Sequence, residues 1–191
     1  PSGKSSKKGK AAVEVRSPDP IVSGKVKARE SKLPTTLRKS QVLAARKKLG
    51  PKLSNKIARQ PKGKGGEVEL TTAEVERVLK HGIVGFVSAG RNPASEDDSN
   101  LSDAQIAKRY KKLQLNLRSE GFRYAKVIGK YGEVEDSFLV MAPEADKKTI
   151  LKLGARYNQD SILYSVGNKN EIVYTTGPNK GLANPGEGYQ R

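Results

Sequence analysis

Apolar positions are scattered through the first 34 residues of the chain and become periodic only after them. Residues 1–34 are mostly Lys, Ser, Gly and Pro with brief Val and Ile interruptions, a pattern that predicts extended chain. From Thr35 the pattern changes. TLRKSQVLAARKKL places Leu37, Ala44, Ala45 and Leu49 as the apolar positions of a helix that Thr35 or Thr36 can cap. Gly50 and Pro51 stop it. A second short helix is expected over Leu53 to Arg59, and QPKGKGG then reads as a flexible basic linker.

Regular patterning begins at residue 67. Thr71 with Glu74 three residues later forms a capping box before Val75, Val78 and Leu79, and Gly82 closes that helix. Ile83 to Ser88 is an apolar run of strand length. Gly90 to Asn100 is a polar, acidic loop. Ser102 and Gln105 make another capping box, followed by the stripe Ile106, Tyr110, Leu113 and Leu117, which Gly121 ends.

Phe122 to Ile128 predicts a strand, Gly129 to Gly132 a turn, and Ser137 to Met141 a second strand. Pro143 opens a helix carrying Ile150, Leu151, Leu153 and Tyr157. Ser161 to Val166 and Glu171 to Thr175 form a hairpin around Gly167–Asn170, and residues 177–191 read as an extended tail. The order α-β-α-β-β-α-β-β predicts an α+β fold. It comprises a small mixed sheet of about five strands packed by about three helices, preceded by a long extended basic arm with one or two short helices. The expected divisions are an arm and linker over 1–66, a small α/β domain over 67–176 and an extended tail over 177–191.

Charge sharpens that division. The chain carries +17, but residues 1–66 hold 19 Lys and Arg against three acids, Glu14, Asp19 and Glu30. The remainder holds 18 basic and 17 acidic residues, so it is nearly neutral. All ten aromatic residues lie between Phe86 and Tyr189. An arm without aromatics and with heavy like charge is expected to bury too little area to offset its ordering entropy.

Cysteine is absent, which excludes disulfides and thiolate–metal sites. No run of 18 apolar residues exists to span a membrane. PSGKSSKKGK lacks the apolar stretch of a secretory signal, and Pro1 is expected to follow a removed initiator Met. Localisation to a virion or a cytoplasmic nucleoprotein assembly, without secretion, follows as the expectation.

Catalytic signals are thin. His81, the sole histidine, falls in the last turn of a predicted helix, where a positive side chain complements the helix dipole. Glu133, Glu135 and Asp136 could offer oxygen ligands to a divalent cation, although alternate acids near a strand start more often form a solvated face. Glu96–Asp97–Asp98 reads as a solvated loop, or as a surface on which the arm of the same or a neighbouring molecule rests. GKGG at 63–66 lacks P-loop spacing, no dinucleotide fingerprint is complete, and no Ser–His–Asp set can be assembled. No cofactor, metal or catalytic residue is expected, and the protein is read as no enzyme.

The arm carries a different signal. Lys4, Lys7, Lys8 and Lys10 form one cluster, Arg38 and Lys39 a second, and Arg46, Lys47 and Lys48 a third. Lys52, Lys56, Arg59, Lys62 and Lys64 continue the series. Such a series suits nucleic-acid backbone contacts, to DNA or RNA, without sequence reading. Lys108, Arg109, Lys111 and Lys112 read as the solvated face of their helix. The expected function is a non-enzymatic nucleic-acid-associated component of a large assembly, a phage virion ahead of a ribosome, with neighbouring proteins as further partners. The alternative is a structural protein whose arm clamps acidic neighbours. A third reading is a nucleic-acid enzyme with a metal held at Glu133–Asp136.

GFVSAGRNP (85–93) and LSDAQIAKRYKKLQLNLRSEGF (101–122) resemble a small α/β domain family of bacteria and their phages with no assigned function. Its pattern is a strand running into an Asn-Pro loop, then a helix, a variable hairpin and a second helix ending near G-x-x-x-x-Q. Here LGARYNQDSILYS (153–165) matches that end. The resemblance covers Gly82 to Thr175 and none of the arm. At the family's aromatic and acidic pair after the hairpin this chain departs, with Glu135–Asp136–Ser137 in that place. The resemblance implies a prokaryotic or phage setting and transfers no catalytic residue.

Overall fold

A computed structural model of the protein describes residues 14–16, 28–131, 133–141, 147–167, 169–185 and 189–190. The strands are β1 (Glu14–Arg16), β2 (Arg29–Glu30), β3 (Gly66–Glu67), β4 (Ile83–Val87), β5 (Arg123–Tyr131), β6 (Glu133–Met141), β7 (Ser161–Val166), β8 (Lys169–Tyr174), β9 (Leu182–Pro185) and β10 (Tyr189–Gln190). The helices are α1 (Lys39–Leu49), α2 (Pro51–Ile57), α3 (Thr72–His81), α4 (Glu96–Ser99), α5 (Asp103–Ser119) and α6 (Lys147–Arg156). The strands form one mixed sheet in the order β10-β1-β5-β6-β4-β7-β8-β9-β2, with β3 also pairing β5.

The sheet thus holds more than the five strands expected. The additional ones are short pieces of the arm and tail that hydrogen-bond to sheet edges: β1 and β3 on β5, β10 on β1, β9 on β8 and β2 on β9. Edge pairing satisfies backbone groups whatever the side chains, so a Gly- and Pro-rich composition does not reveal it. The β5–β6 hairpin is also longer than its glycines suggest. Pairing continues through Gly129↔Glu135, Lys130↔Val134 and Tyr131↔Glu133, so the expected turn at 129–132 is mostly ladder.

β4 lies at the centre, antiparallel to β6 and β7, and all five of its residues are buried. Helices cover it on both faces, which explains a continuous apolar run where alternation would mark a half-exposed strand. On one face Leu113 and Leu117 of α5 and Ile150 and Leu153 of α6 pack with Val87, Phe138, Val140 and Tyr164. On the other, Leu49, Leu53 and Ile57 of α1 and α2 join Val75, Val78 and Leu79 of α3 over Phe86, Leu139 and Met141.

That second face corrects the expectation that everything before residue 67 stays outside the core. Leu49, Leu53 and Ile57 are 1–3 % exposed. Alone they could not make a core; the sheet supplies the apolar partner surface that the arm's own composition lacks. Local signals set the geometry. Gly50 adopts φ 84, which ends α1, and Pro51 opens α2 where its missing N–H costs nothing. Arg77 Nη2 of α3 donates to the Leu49 carbonyl at 2.5 Å and ties the two helices together.

The predicted capping boxes both form. Glu74 N donates to Thr71 Oγ1 at 3.2 Å while Thr71 N donates to Glu74 Oε1 at 3.0 Å. Ser102 and Gln105 repeat the exchange at 2.8 and 3.2 Å. They fix where α3 begins and where α5 leaves the loop that follows β4.

Candidate functional site

The site is built where β4 runs out. Beyond Val87 the chain continues through Ser88, Ala89 and Gly90, all buried, into the Asn92–Pro93 loop. Gly90 N donates to Ser88 Oγ at 3.1 Å. Tyr110 OH, from the second residue of the α5 stripe, donates to the Asp136 carbonyl at 2.8 Å and lies 3.0 Å from Ser88 Oγ. A consistent set of protons has Tyr110 donating to Asp136 O and Ser88 donating to the phenol oxygen.

Glu135 completes this cluster. A Cβ placed on Gly90 would stand 2.5 Å from Glu135 Oε2, 3.1 Å from Tyr110 OH and 3.4 Å from Ser88 Oγ. Glycine at 90 therefore leaves room for a carboxylate beside two hydroxyls. Burial pushes the Tyr110 phenol up to about 12; the Ser88 hydrogen bond opposes this, and the charges of Glu135 and Asp136 add to it. Tyr110 stays protonated and acts as a donor. Its ring meets Phe138 edge to face at 6.1 Å, and Phe138 meets Tyr124 in the same way at 5.1 Å.

Behind Gly90 stands a buried polar network. Asp98, 4 % exposed, accepts from Asn92 N at 2.8 Å, Arg109 Nη1 at 2.9 Å and Asn158 Nδ2 at 3.2 Å. Desolvation pushes its carboxyl up, but these donors and the Arg109 charge outweigh it and hold it below the ordinary carboxylate range. Arg109 also donates to the carbonyls of Gly90 and Tyr157. Gln159 Nε2 reaches the same Gly90 carbonyl at 3.1 Å, and Asn92 Nδ2 donates to Asn158 O at 2.8 Å. Asn158 holds φ 54, a left-handed conformation that asparagine tolerates better than most residues.

Several expectations change here. Glu96–Asp97–Asp98 is a one-turn helix whose last acid is buried, not a solvated loop. Arg109 turns inward while Lys108, Lys111 and Lys112 remain exposed. Tyr110 belongs to the apolar stripe by spacing yet presents its hydroxyl to the site. Asp98 lies 11 residues from Arg109 and 60 from Asn158, and Tyr110 lies 26 from Asp136, so no spacing rule would have joined them. The two segments RNP and NQD, which carried the family resemblance, do meet in space through Asn92 and Asn158.

The basic series is dispersed. Lys4, Lys7, Lys8 and Lys10 lie outside the described residues. Arg38, Lys39, Lys47, Lys48, Lys52, Lys62 and Lys64 are exposed, and Arg46 is half-buried. Lys56 Nζ is paired with Glu74 at 3.1 Å. Arg59 binds Glu120 at 3.1 Å and lies over the Phe122 ring at 4.5 Å. The last two spend their charge within the fold. His81 ends α3, half-buried. Among the described residues, no three His, Asp or Glu side chains gather as a metal site, and no helix is long and apolar enough to cross a membrane.

A carboxylate, two hydroxyls and a braced glycine thus meet at the end of β4. Residues 85–187 match the model of the S-adenosylmethionine lyase family, and the chain belongs to that family. The match starts inside β4 and spans every group of the cluster and of the network behind it. It overlaps the stretch in which the sequence resembles a bacterial and phage family of unassigned function, but it names a different family and an enzymatic one. No curated protein and no solved structure matches the chain.

Family membership overturns the reading of a non-enzymatic nucleic-acid or virion component, and with it the expectation of no enzyme. The error has a physical source. Net charge dominates the sequence, whereas the site is made from single residues that only the fold assembles.

Proposed function

We propose that the protein is an enzyme that cleaves S-adenosylmethionine at its sulfonium centre, with the cluster around Gly90 as its active site. The observation that supports this most directly is the Glu135 carboxylate held beside Tyr110 and Ser88 within the family-matched segment. S-adenosylmethionine carries a permanent positive sulfur, and a lyase breaks a bond to it without net hydrolysis or oxidation. A carbon–sulfur bond is the chemically activated one, because the sulfur leaves as a neutral thioether.

Glu135 suits such a substrate in either of two ways. It can pair with the sulfonium, or it can accept a proton released as the bond breaks. Tyr110 and Ser88 add neutral polar contacts and bring no positive charge to repel the ligand. The Tyr110 ring packs edge to face on the buried Phe138, which fixes where its hydroxyl stands.

The test is incubation of purified protein with S-adenosylmethionine, following substrate loss and thioether release by chromatography and mass spectrometry. Turnover by the full chain that disappears in Glu135→Gln supports the assignment. Binding retained with turnover lost would assign proton acceptance, and loss of both would assign cation recognition. No turnover by the intact protein, with S-adenosylmethionine unbound, would overturn the proposal.

A further inference from the structure

A second cavity lies at the opposite end of β4 from Gly90. It has a volume of about 980 Å³ and opens between the β2 segment, α1, the end of α3 and the β8–β9 edge. Its apolar wall includes Leu33, Ala45 and Ile83, all buried. Arg29, Lys48, Lys80 and Lys169 stand at its rim, exposed and outside every ion pair among the described residues.

Its wall is fixed in place. Glu171, 8 % exposed, accepts from Ser31 Oγ at 2.8 Å, Lys32 N at 3.1 Å and Leu33 N at 2.7 Å. Lys147, also buried, donates to Ser31 Oγ at 2.6 Å and to the Leu33 carbonyl at 2.7 Å. Glu171 is thereby occupied with the wall, which leaves Glu30 as the one exposed acid of the lining against the four rim cations, so positive charge dominates the field of the cavity. The floor holds Asn184, 4 % exposed. Its Nδ2 donates to Tyr174 OH at 2.9 Å, while its Oδ1 is shielded from solvent and has no hydrogen-bond partner. A buried acceptor without a donor is unfavourable, and a ligand that lets the amide turn to meet a donor relieves it.

From this geometry we infer that the cavity binds a phosphate-bearing organic anion of mononucleotide size. The rim cations take the phosphate, the Leu33–Ile83 wall takes a ring, and Asn184 takes an amino group on that ring. The inference does not rest on the lyase reading. The cationic substrate proposed for the Glu135 site is poorly suited to this cavity, because the rim repels positive charge.

The probe is adenosine 5′-monophosphate, titrated into the full chain by calorimetry. Saturable binding is expected, weakening as salt rises and roughly tenfold tighter than ribose 5-phosphate. Lys48→Glu with Lys169→Glu should weaken it by roughly tenfold or more. Lys62→Glu with Lys64→Glu, the same charge change on an exposed loop, should leave it unchanged. These are surface positions, so circular dichroism should show both variants folded. Failure to bind at millimolar concentration, equal loss in the two double variants, or displacement of the nucleotide by S-adenosylmethionine would overturn the assignment.

Discussion

Gly90 and Glu135 are matched to each other: a single added carbon at Gly90 would stand 2.5 Å from Glu135 Oε2. A contact that short cannot persist, so one of the two must move. Gly90→Ala needs no unusual backbone angle, and the protein should keep its fold and melting temperature. Displacement of the carboxylate by a few tenths of an ångström or more should lower kcat, by up to a hundredfold on the scale of known misplacements. Turnover of S-adenosylmethionine by the alanine variant at near wild-type rate would show that this contact does not set the reacting geometry.

Arg109→Ala should be among the costliest single changes. It leaves Asp98 charged, 4 % exposed and short of its principal cation, a loss of about 3–5 kcal/mol in chemical denaturation. Arg109→Lys should recover part of this but not all, because one ammonium cannot replace the fork that also holds Gly90 and Tyr157.

Asp98 also gives the stability curve its acid limb. Its carboxyl titrates below the ordinary range in the folded protein, so the folded state binds the proton less readily than the unfolded chain. The stabilisation is complete above the ordinary carboxyl value of about 4 and is lost as pH falls through the lower folded value. Asp98→Asn, measured by urea titration at several pH values, should flatten that limb.

At the alkaline end Tyr110 reports on the site. With its phenol pushed up to about 12, it should ionise well after an exposed tyrosine in an absorbance titration. Tyr110→Phe should remove that late phase. Because the folded phenol holds its proton longer than the unfolded one, the associated stability is present below pH 10 and is lost towards 12.

Leu53→Ala should cost about 2–5 kcal/mol, as expected for a leucine in a packed core. An effect near zero would mean that α2 rests on the sheet without contributing to it.

Much of the element order was legible in the sequence. Thr71–Glu74 and Ser102–Gln105 announce helix starts through chemistry confined to four residues, and the Ile106–Leu117 stripe needs only periodicity. Leu49, Leu53 and Ile57 were misjudged because composition was averaged over an arm, while burial depends on what each side chain meets. The site was hidden for the same reason. Glu135 is one acid among neighbours until β6 carries it to Gly90, and Asp98 looks solvated until Arg109 and Asn158 arrive from elsewhere in the chain.

The β5–β6 hairpin carries one consequence for how the site opens. β4 pairs only with Phe138–Met141 of β6, so the ribbon that bears Glu135 extends past the central strand. Along its outer side it is backed there by the short β1 pairing at Gly129 and Lys130. Half of the site is therefore anchored to the most enclosed strand of the molecule, and the other half to a projecting tongue. Amides of residues 127–131 should exchange with solvent well before those of 83–87 and 138–141. Bending the tongue would break a few local hydrogen bonds, at a cost not set by the stability of the whole protein.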